Sequence, residues 1–530
     1  MILTIVMIVL FFGVMIGVGI NSRRHATDVN GFVLGGRTVG PWLTAFAFGT
    51  SYFSAVIFIG YAGQFGWRYG VSATWAGLGN AFIGSLLAWV ILGRRTRIMT
   101  QRIDSKTMPD FFGKRFDSDA LRIVASAIVF IFLIPYTASL YNGLSSLFNI
   151  SFNIPYWVII VVMAALTCVY VIVGGYMATA INDFIQGIIM LVGIVAVIVA
   201  VLNVNGGFVE SLNALSQIPA EGTVKAAEGS QGVFASFFGP DPLALLFVVI
   251  LTSLGTWGLP QMVGKFYAIK NEESIKKGTI ISTIFAIIVA GGCYFLGGFG
   301  RLFDSEAIHN GDKIVYDKIV PAMLSALDGT GFGKVIIGIV IVLVLAASMS
   351  TLSSLVLTSS STLTLDLIDR KGKLGEKKKL LVMRLFVLFF VIVSAVIAIV
   401  KDANPTFTFI AQMMGVSWGA LAGSFLAPFL YGLYWKKATK ASVWASFVWG
   451  VGVTIVQLLQ MFGVFTADKS TVFGYIFSSS INSGVVAMLG GLVIVPLVSL
   501  FTRKPDSAMV EDAFAGYDKK VEAAQKHSLD

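Results

Sequence analysis

Ionisable and metal-binding residues are scarce in this chain: 12% of its 530 residues are charged, three are His and two are Cys. A water-soluble multidomain enzyme of this length is excluded first, because its surface would carry about twice that charge. His25, His309 and His527 stand apart from the apolar stretches, and there is no HExxH, no glycine-rich phosphate loop and no acid/base carboxylate pair. A membrane-embedded enzyme therefore has no sequence support. Cys168 and Cys293 lie in apolar stretches without CxxC or Cys/His spacing and read as packing residues, with no redox or metal role. Positive charge is also missing ahead of the first apolar run, MILTIVMIVLFFGVMIGVGI, which Arg23 and Arg24 follow. That order reads as a retained helix rather than a cleaved signal peptide.

What the chain has instead is apolar length: 56% hydrophobic residues, 56 Gly and a mean hydropathy of +0.84. Thirteen stretches of membrane-spanning length are expected, near 2–20, 41–65, 72–93, 123–147, 155–173, 183–203, 241–263, 278–300, 335–362, 385–400, 405–433, 441–462 and 483–502. The expected architecture is one all-α polytopic membrane domain over 1–502, followed by a short polar tail over 503–530. The net charge of +10 reports topology: with the N-terminus outside, 30 of the 38 Lys and Arg fall on the inner side. This assigns an external N-terminus and a cytoplasmic C-terminus in the plasma (inner) membrane, and no nucleic-acid partner. RRTRIMTQR (94–102) and RKGKLGEKKK (370–379) read as solvated anchors facing anionic lipid.

Polar or helix-breaking residues inside hydrocarbon are costly unless they line a cavity or find a partner. The second span clusters Gly49, Thr50, Ser51, Tyr52 and Ser54, and the seventh carries Gly255, Gly258 and Pro260. Gly and Pro weaken the intrahelical ladder and free backbone carbonyls. Five spans separate the two interruptions, which predicts inverted five-helix repeats over about 41–203 and 241–433 with a binding site between the broken helices. The ninth span, IVLVLAASMSTLSSLVLTSSSTLTL, places Ala347, Ser350, Thr351, Ser354 and Thr358 on one face. Neutral hydroxyls suit a hard monovalent cation that must bind and leave. The same residues also suit back-bonding to their own helix and close helix packing.

The segments VYVIVGGYMATAINDFIQG (169–187), AASMSTLSS (346–354) and GALAGSFLAPFLYGLYWKKAT (419–439) together resemble the sodium:solute symporter family, nearest to its pantothenate and proline branches. The resemblance implies a LeuT-type 5+5 inverted repeat with one helix before it and two after. It implies a sodium site made by the carbonyls of Thr50, Phe53 and Ala347 and the hydroxyls of Ser350 and Thr351. Some members bind a second sodium ion, which here corresponds to Asp183 with Ser350, Ser353 and Ser354. Asp183 has another reading, as a helix N-cap beside Asn182 at the membrane surface.

For the solute, the family implies polar residues on spans 2 and 3 in sugar carriers, where this chain has Ile57 and Gly77, so a sugar is disfavoured. Tyr136 aligns with an aromatic of the proline carriers. The seventh span lacks their Trp and Tyr spacing, and WGLPQMVGKF is closer to the pantothenate branch. Candidate solute contacts are Tyr52, Phe53, Ile57, Asn80, Tyr136, Trp257, Gln261 and Gln412, each of which also fits plain packing; for Asn80 and Gln412 interhelical hydrogen bonding is the alternative. No Lys or Arg falls within the middle of a predicted span, so a carboxylate would be met by helix N-termini and neutral donors. The expected activity is sodium-coupled import of a small carboxylate, amino acid or pantothenate-like solute by alternating access, with Na+ as coupling ion and no cofactor. Expected partners are the solute, sodium and the lipid bilayer, with the chain working as a monomer. Proton coupling or a sugar substrate remain alternatives within the transporter class, and a channel or nutrient sensor with the same fold remains one outside that class.

Overall fold

A backbone in hydrocarbon must close its own hydrogen bonds, which favours helices throughout. The computed structural model describes residues 2–152, 155–221, 225–311, 313–327, 333–403, 410–518 and 520–521, and these are overwhelmingly helical. The predicted start of the eleventh span at 405 and the end of the tail at 522–530 lie outside the described residues.

Helix α1 (Ile2–Ser22) precedes a broken segment made of α2 (Pro41–Tyr52) and α3 (residues 56–69). Then come α4 (residues 74–102), α5 (Asp119–Phe152) and the long α6 (Tyr156–Val204). A second broken segment follows, α7 (Pro242–Leu254) and α8 (Pro260–Tyr267), with α9 (Glu272–Gly297) and α10 (Gly333–Thr362) behind it. The chain ends with α11 (Glu376–Ala403), α12 (Ile410–Tyr434), α13 (Lys440–Met461) and α14 (Ser480–Phe501).

By length and composition ten of the described helices can cross a membrane, or eleven if α7 and α8, bent by 43°, form one span. The sequence count of thirteen is not reproduced by that measure. Two of the ten, Val56–Arg102 and Trp157–Val204, are 47 and 48 residues long, roughly twice the 20 or so that a bilayer core requires. Each contains a glycine in a backbone conformation that an L side chain resists, Gly70 (φ +62°) in the first and Gly175 (φ +55°) in the second. At Gly175 a Cβ would also lie 2.8 Å from the Phe32 ring. Glycine is therefore required there by conformation and by space.

The core is centred on α10, buried almost continuously from Val340 to Leu357 and packed on α6, α5 and α2. Leu10, Val90, Val192, Ile280, Val448 and Leu500 face outward. Apolar residues on the outside of an apolar bundle match a lipid surround rather than water.

Candidate functional site

The break after α2 is local in origin. Phe53 leaves the helix at φ −90°, ψ 104°, its N–H still bonding to the Gly49 carbonyl, and the Ser54 hydroxyl caps the restart by accepting from Val56 N. The Thr50 carbonyl is thus left near the end of α2 with no α-helical donor to its C-terminal side. Opposite it, α10 presents two buried hydroxyls. Ser350 Oγ donates to the carbonyl of Thr50 at 3.0 Å and to that of Ala347 at 3.2 Å. Thr351 Oγ1 does the same at 3.2 Å and 3.2 Å. Four of the five oxygens assigned to the sodium site from sequence therefore converge, from two helices 300 residues apart in the chain. The back-bonding alternative holds as well, since both hydroxyls reach their own helix. Phe53 sits at the break with its ring 4.4 Å from Tyr52 and 6.0 Å from Phe285.

One helical turn along α10, the Ser354 hydroxyl lies 2.7 Å from that of Ser51. Ser354 also accepts from Lys265 Nζ at 3.0 Å, and the same ammonium lies 3.5 Å from Asp183 Oδ2 and 5.3 Å from the centre of the Tyr176 ring. Asp183 and Lys265 are both buried. The helix-cap reading of Asp183 is corrected here. Asp183 sits eight residues beyond the turn at Gly175, inside the second half of α6, where its carboxylate faces a lysine rather than free backbone N–H groups. The expectation of no buried cation is corrected too, because α8 continues to Tyr267 and carries Lys265 into the bundle. Of the other two serines proposed for a second ion, Ser350 belongs to the Thr50 cluster and Ser353 donates to the Ser350 carbonyl at 3.0 Å.

The solute candidates divide. Tyr52 and Tyr136 meet around Trp418 of α12, at ring separations of 5.7 Å (stacked) and 6.2 Å (edge-on), and Tyr52 OH donates to the Thr252 carbonyl at 2.5 Å. Ile57 is buried at the start of α3. Asn80 Oδ1 accepts from Ser253 Oγ at 3.3 Å, which is the interhelical bond of its alternative reading, and Trp257 Nε1 donates to the Ile83 carbonyl at 3.0 Å. Gln412 and Gln261 lie in different cavities. Gln412 lines a vestibule of about 430 Å³ with Gln64, Arg68, Asp241, Gln457 and Asn482. Gln261 borders a cavity of about 50 Å³ together with Lys265, Ser354 and Thr358. Its buried amide atoms have no hydrogen-bond partner among the described residues.

Two residues escaped the sequence reading. Trp418 carried a signal, an aromatic set among small residues in SWGALAG, but nothing local says that it faces Tyr52. Lys265 carried a weaker one, lying five residues after Pro260 and just past the expected end of the span at 263.

The sodium:solute symporter family model matches residues 32–450. Sodium/proline symporter 2 of Staphylococcus saprophyticus is 28% identical over 519 residues, which are 96% of this chain and 95% of that protein. The sodium/proline symporter of Staphylococcus aureus is 28% identical over 521 residues, 96% of this chain and 94% of that one. Among solved structures, a Na+-coupled sialic acid symporter in its substrate-bound outward-open state gives a TM-score of 0.68 at 16% identity, over 95% of this chain and 98% of the other. Mhp1, a nucleobase-cation-symport-1 family transporter in a closed conformation, gives 0.51 at 13% identity, over 91% and 97%. At such identities the likeness is one of fold.

Proposed function

The chain belongs to the sodium:solute symporter family, and from that premise we propose that it imports a small carboxylate, amino acid or pantothenate-like solute, driven by sodium, through alternating access. It is a multi-pass membrane transport protein, as its relatives are, and not an enzyme. Dividing the two overlong helices at Gly70 and Gly175 and joining α7 to α8 supports thirteen crossings. Spans 2–6 and 7–11 are then the inverted repeats, each opening on a broken helix. The basic inner segments support an external N-terminus and a plasma-membrane location.

The observation that carries sodium coupling is the convergence of the Ser350 and Thr351 hydroxyls on the Thr50 and Ala347 carbonyls. Rotating two hydroxyl hydrogens away turns four oxygens toward one point between α2 and α10. A cation there would hold the broken helix against α10, and its binding would favour whichever state keeps those helices together. Coupling between sodium and solute is then a shared free energy and is reciprocal. The vestibule lined by Gln412 carries Arg68, Lys225 and Lys469 against Asp241, an excess of positive charge that favours an acidic or zwitterionic solute. The buried ring cluster of Tyr52, Tyr136 and Trp418 is the apolar surface that would meet its body once the bundle opens. Proline, the solute of the staphylococcal relatives, is the first compound to try.

The test is thermal unfolding of the purified protein in sodium, potassium or choline, with proline, other amino acids, small carboxylates, pantothenate, sialic acid and sugars. A bound ligand raises the midpoint. Stabilisation by one solute only in sodium is expected. Stabilisation independent of sodium would overturn sodium coupling and favour a proton.

A further inference from the structure

We propose that the Lys265 ammonium is a tethered substitute for a second coupling cation, and that this chain accordingly binds one sodium ion per cycle. The inference rests on the sodium-coupled reading. Two of the groups that the family resemblance assigns to a second ion, Asp183 and Ser354, are the groups the ammonium engages, at 3.5 Å and 3.0 Å. Tyr176 closes another side with its ring face, a surface that attracts a cation. Asp183, Ser354 and the Tyr176 ring are thus arranged around one positive charge, and Lys265 supplies it. A sodium ion added here would place two cations against the carboxylate of Asp183 in a buried setting, with no further anion beside them among the described residues.

The position matters for transport. From Thr50, Ser350 and Thr351 the polar path continues through Ser51 and Ser354 to Lys265, where the cavity of about 50 Å³ begins. Ser354 is one helical turn, about 5–6 Å, from Ser350. The ammonium therefore lies next to the proposed sodium site and toward the side assigned to the cytoplasm, where it repels a second sodium and leaves a single mobile ion between α2 and α10.

Equilibrium binding of radiolabelled sodium to the purified full-length protein, with choline holding ionic strength constant, tests the assignment without a known solute. Wild type is expected to take up about one ion per chain. Lys265→Met, which removes the ammonium and keeps Asp183, is expected to take up about two, with a thermal stability that sodium raises far more steeply than in wild type. The double variant Lys265→Met with Asp183→Asn is expected to return to about one. About two ions in wild type overturns the proposal whatever the variants do, and so does a folded Lys265→Met that still binds one. Should Lys265→Met fail to fold alone, Lys265→Gln, which keeps a polar group beside Asp183 without the charge, is read in its place: about two ions are expected, and about one overturns the proposal. No sodium binding by wild type would overturn both this assignment and sodium coupling, and is distinguishable from the other results.

Discussion

The Thr351 hydroxyl illustrates what one side chain contributes. It lies 3.2 Å from each of two carbonyls that come from different helices. Thr351→Ala removes one ligand of about five and leaves the backbone oxygens in place, so the concentration of sodium giving half-maximal transport should rise about tenfold, the equivalent of about 1.4 kcal/mol. Unchanged sodium dependence of uptake would remove Thr351 from the site. For Asp183 the dominant effect is different. Asp183→Asn leaves the buried Lys265 ammonium without its counter-charge, and breaking such a pair costs about 3–5 kcal/mol, whereas replacing both members by neutral groups is often tolerated. Thermal unfolding should therefore show Asp183→Asn as the less stable protein and its combination with Lys265→Met as largely restored. Additive losses in the double variant would mean that the two residues are not coupled.

At the level of single elements, breaks matter as much as helices. The interruption after α2 and the 43° bend between α7 and α8 occur where Gly, Ser and Pro accumulate, as the backbone chemistry requires. Gly175 is a third such point, at φ +55° and ψ −146° and pressed against Phe32. It aims the second half of α6, and with it Asp183, into the bundle. Gly175→Ala should cost about 1–3 kcal/mol through backbone strain, read as a lower thermal midpoint, and reduced transport should follow from the displaced carboxylate. An unchanged midpoint would show that the turn relaxes without penalty.

Across the whole molecule, charge placement and ion number set performance. With basic segments inside, Ser507→Cys in the tail should resist a membrane-impermeant thiol reagent in intact cells while Glu228→Cys in the 204–240 loop reacts; both positions are exposed, and the native Cys168 and Cys293 are buried. The reverse pattern would invert the topology. One sodium ion crossing about 100 mV supplies about 2.3 kcal/mol, which sustains a roughly fifty-fold gradient of a neutral or zwitterionic solute from the electrical part alone. Two ions would square that ratio, so the steady-state accumulation in proteoliposomes is a whole-molecule reading of what Lys265 does.

Membrane class, the positions of the two broken helices and the face of α10 that carries Ser350 and Thr351 were all legible in the sequence, because hydropathy, helix breaking and 3.6-residue periodicity are local properties of a few consecutive residues. The count of thirteen crossings is not reproduced by helix length and composition, which give ten or eleven among the described residues, because the stretches on either side of Gly70 and of Gly175 run on as two long helical segments. What only the tertiary structure decided was which distant side chains meet. Gln261 and Gln412, read as members of one pocket, border different cavities. Trp418 joins Tyr52 and Tyr136, and Lys265 reaches across from α8 to Asp183 on α6 and Ser354 on α10. Such meetings depend on how helices cross and how far each penetrates the bundle, and neither quantity is encoded in any short window of the chain.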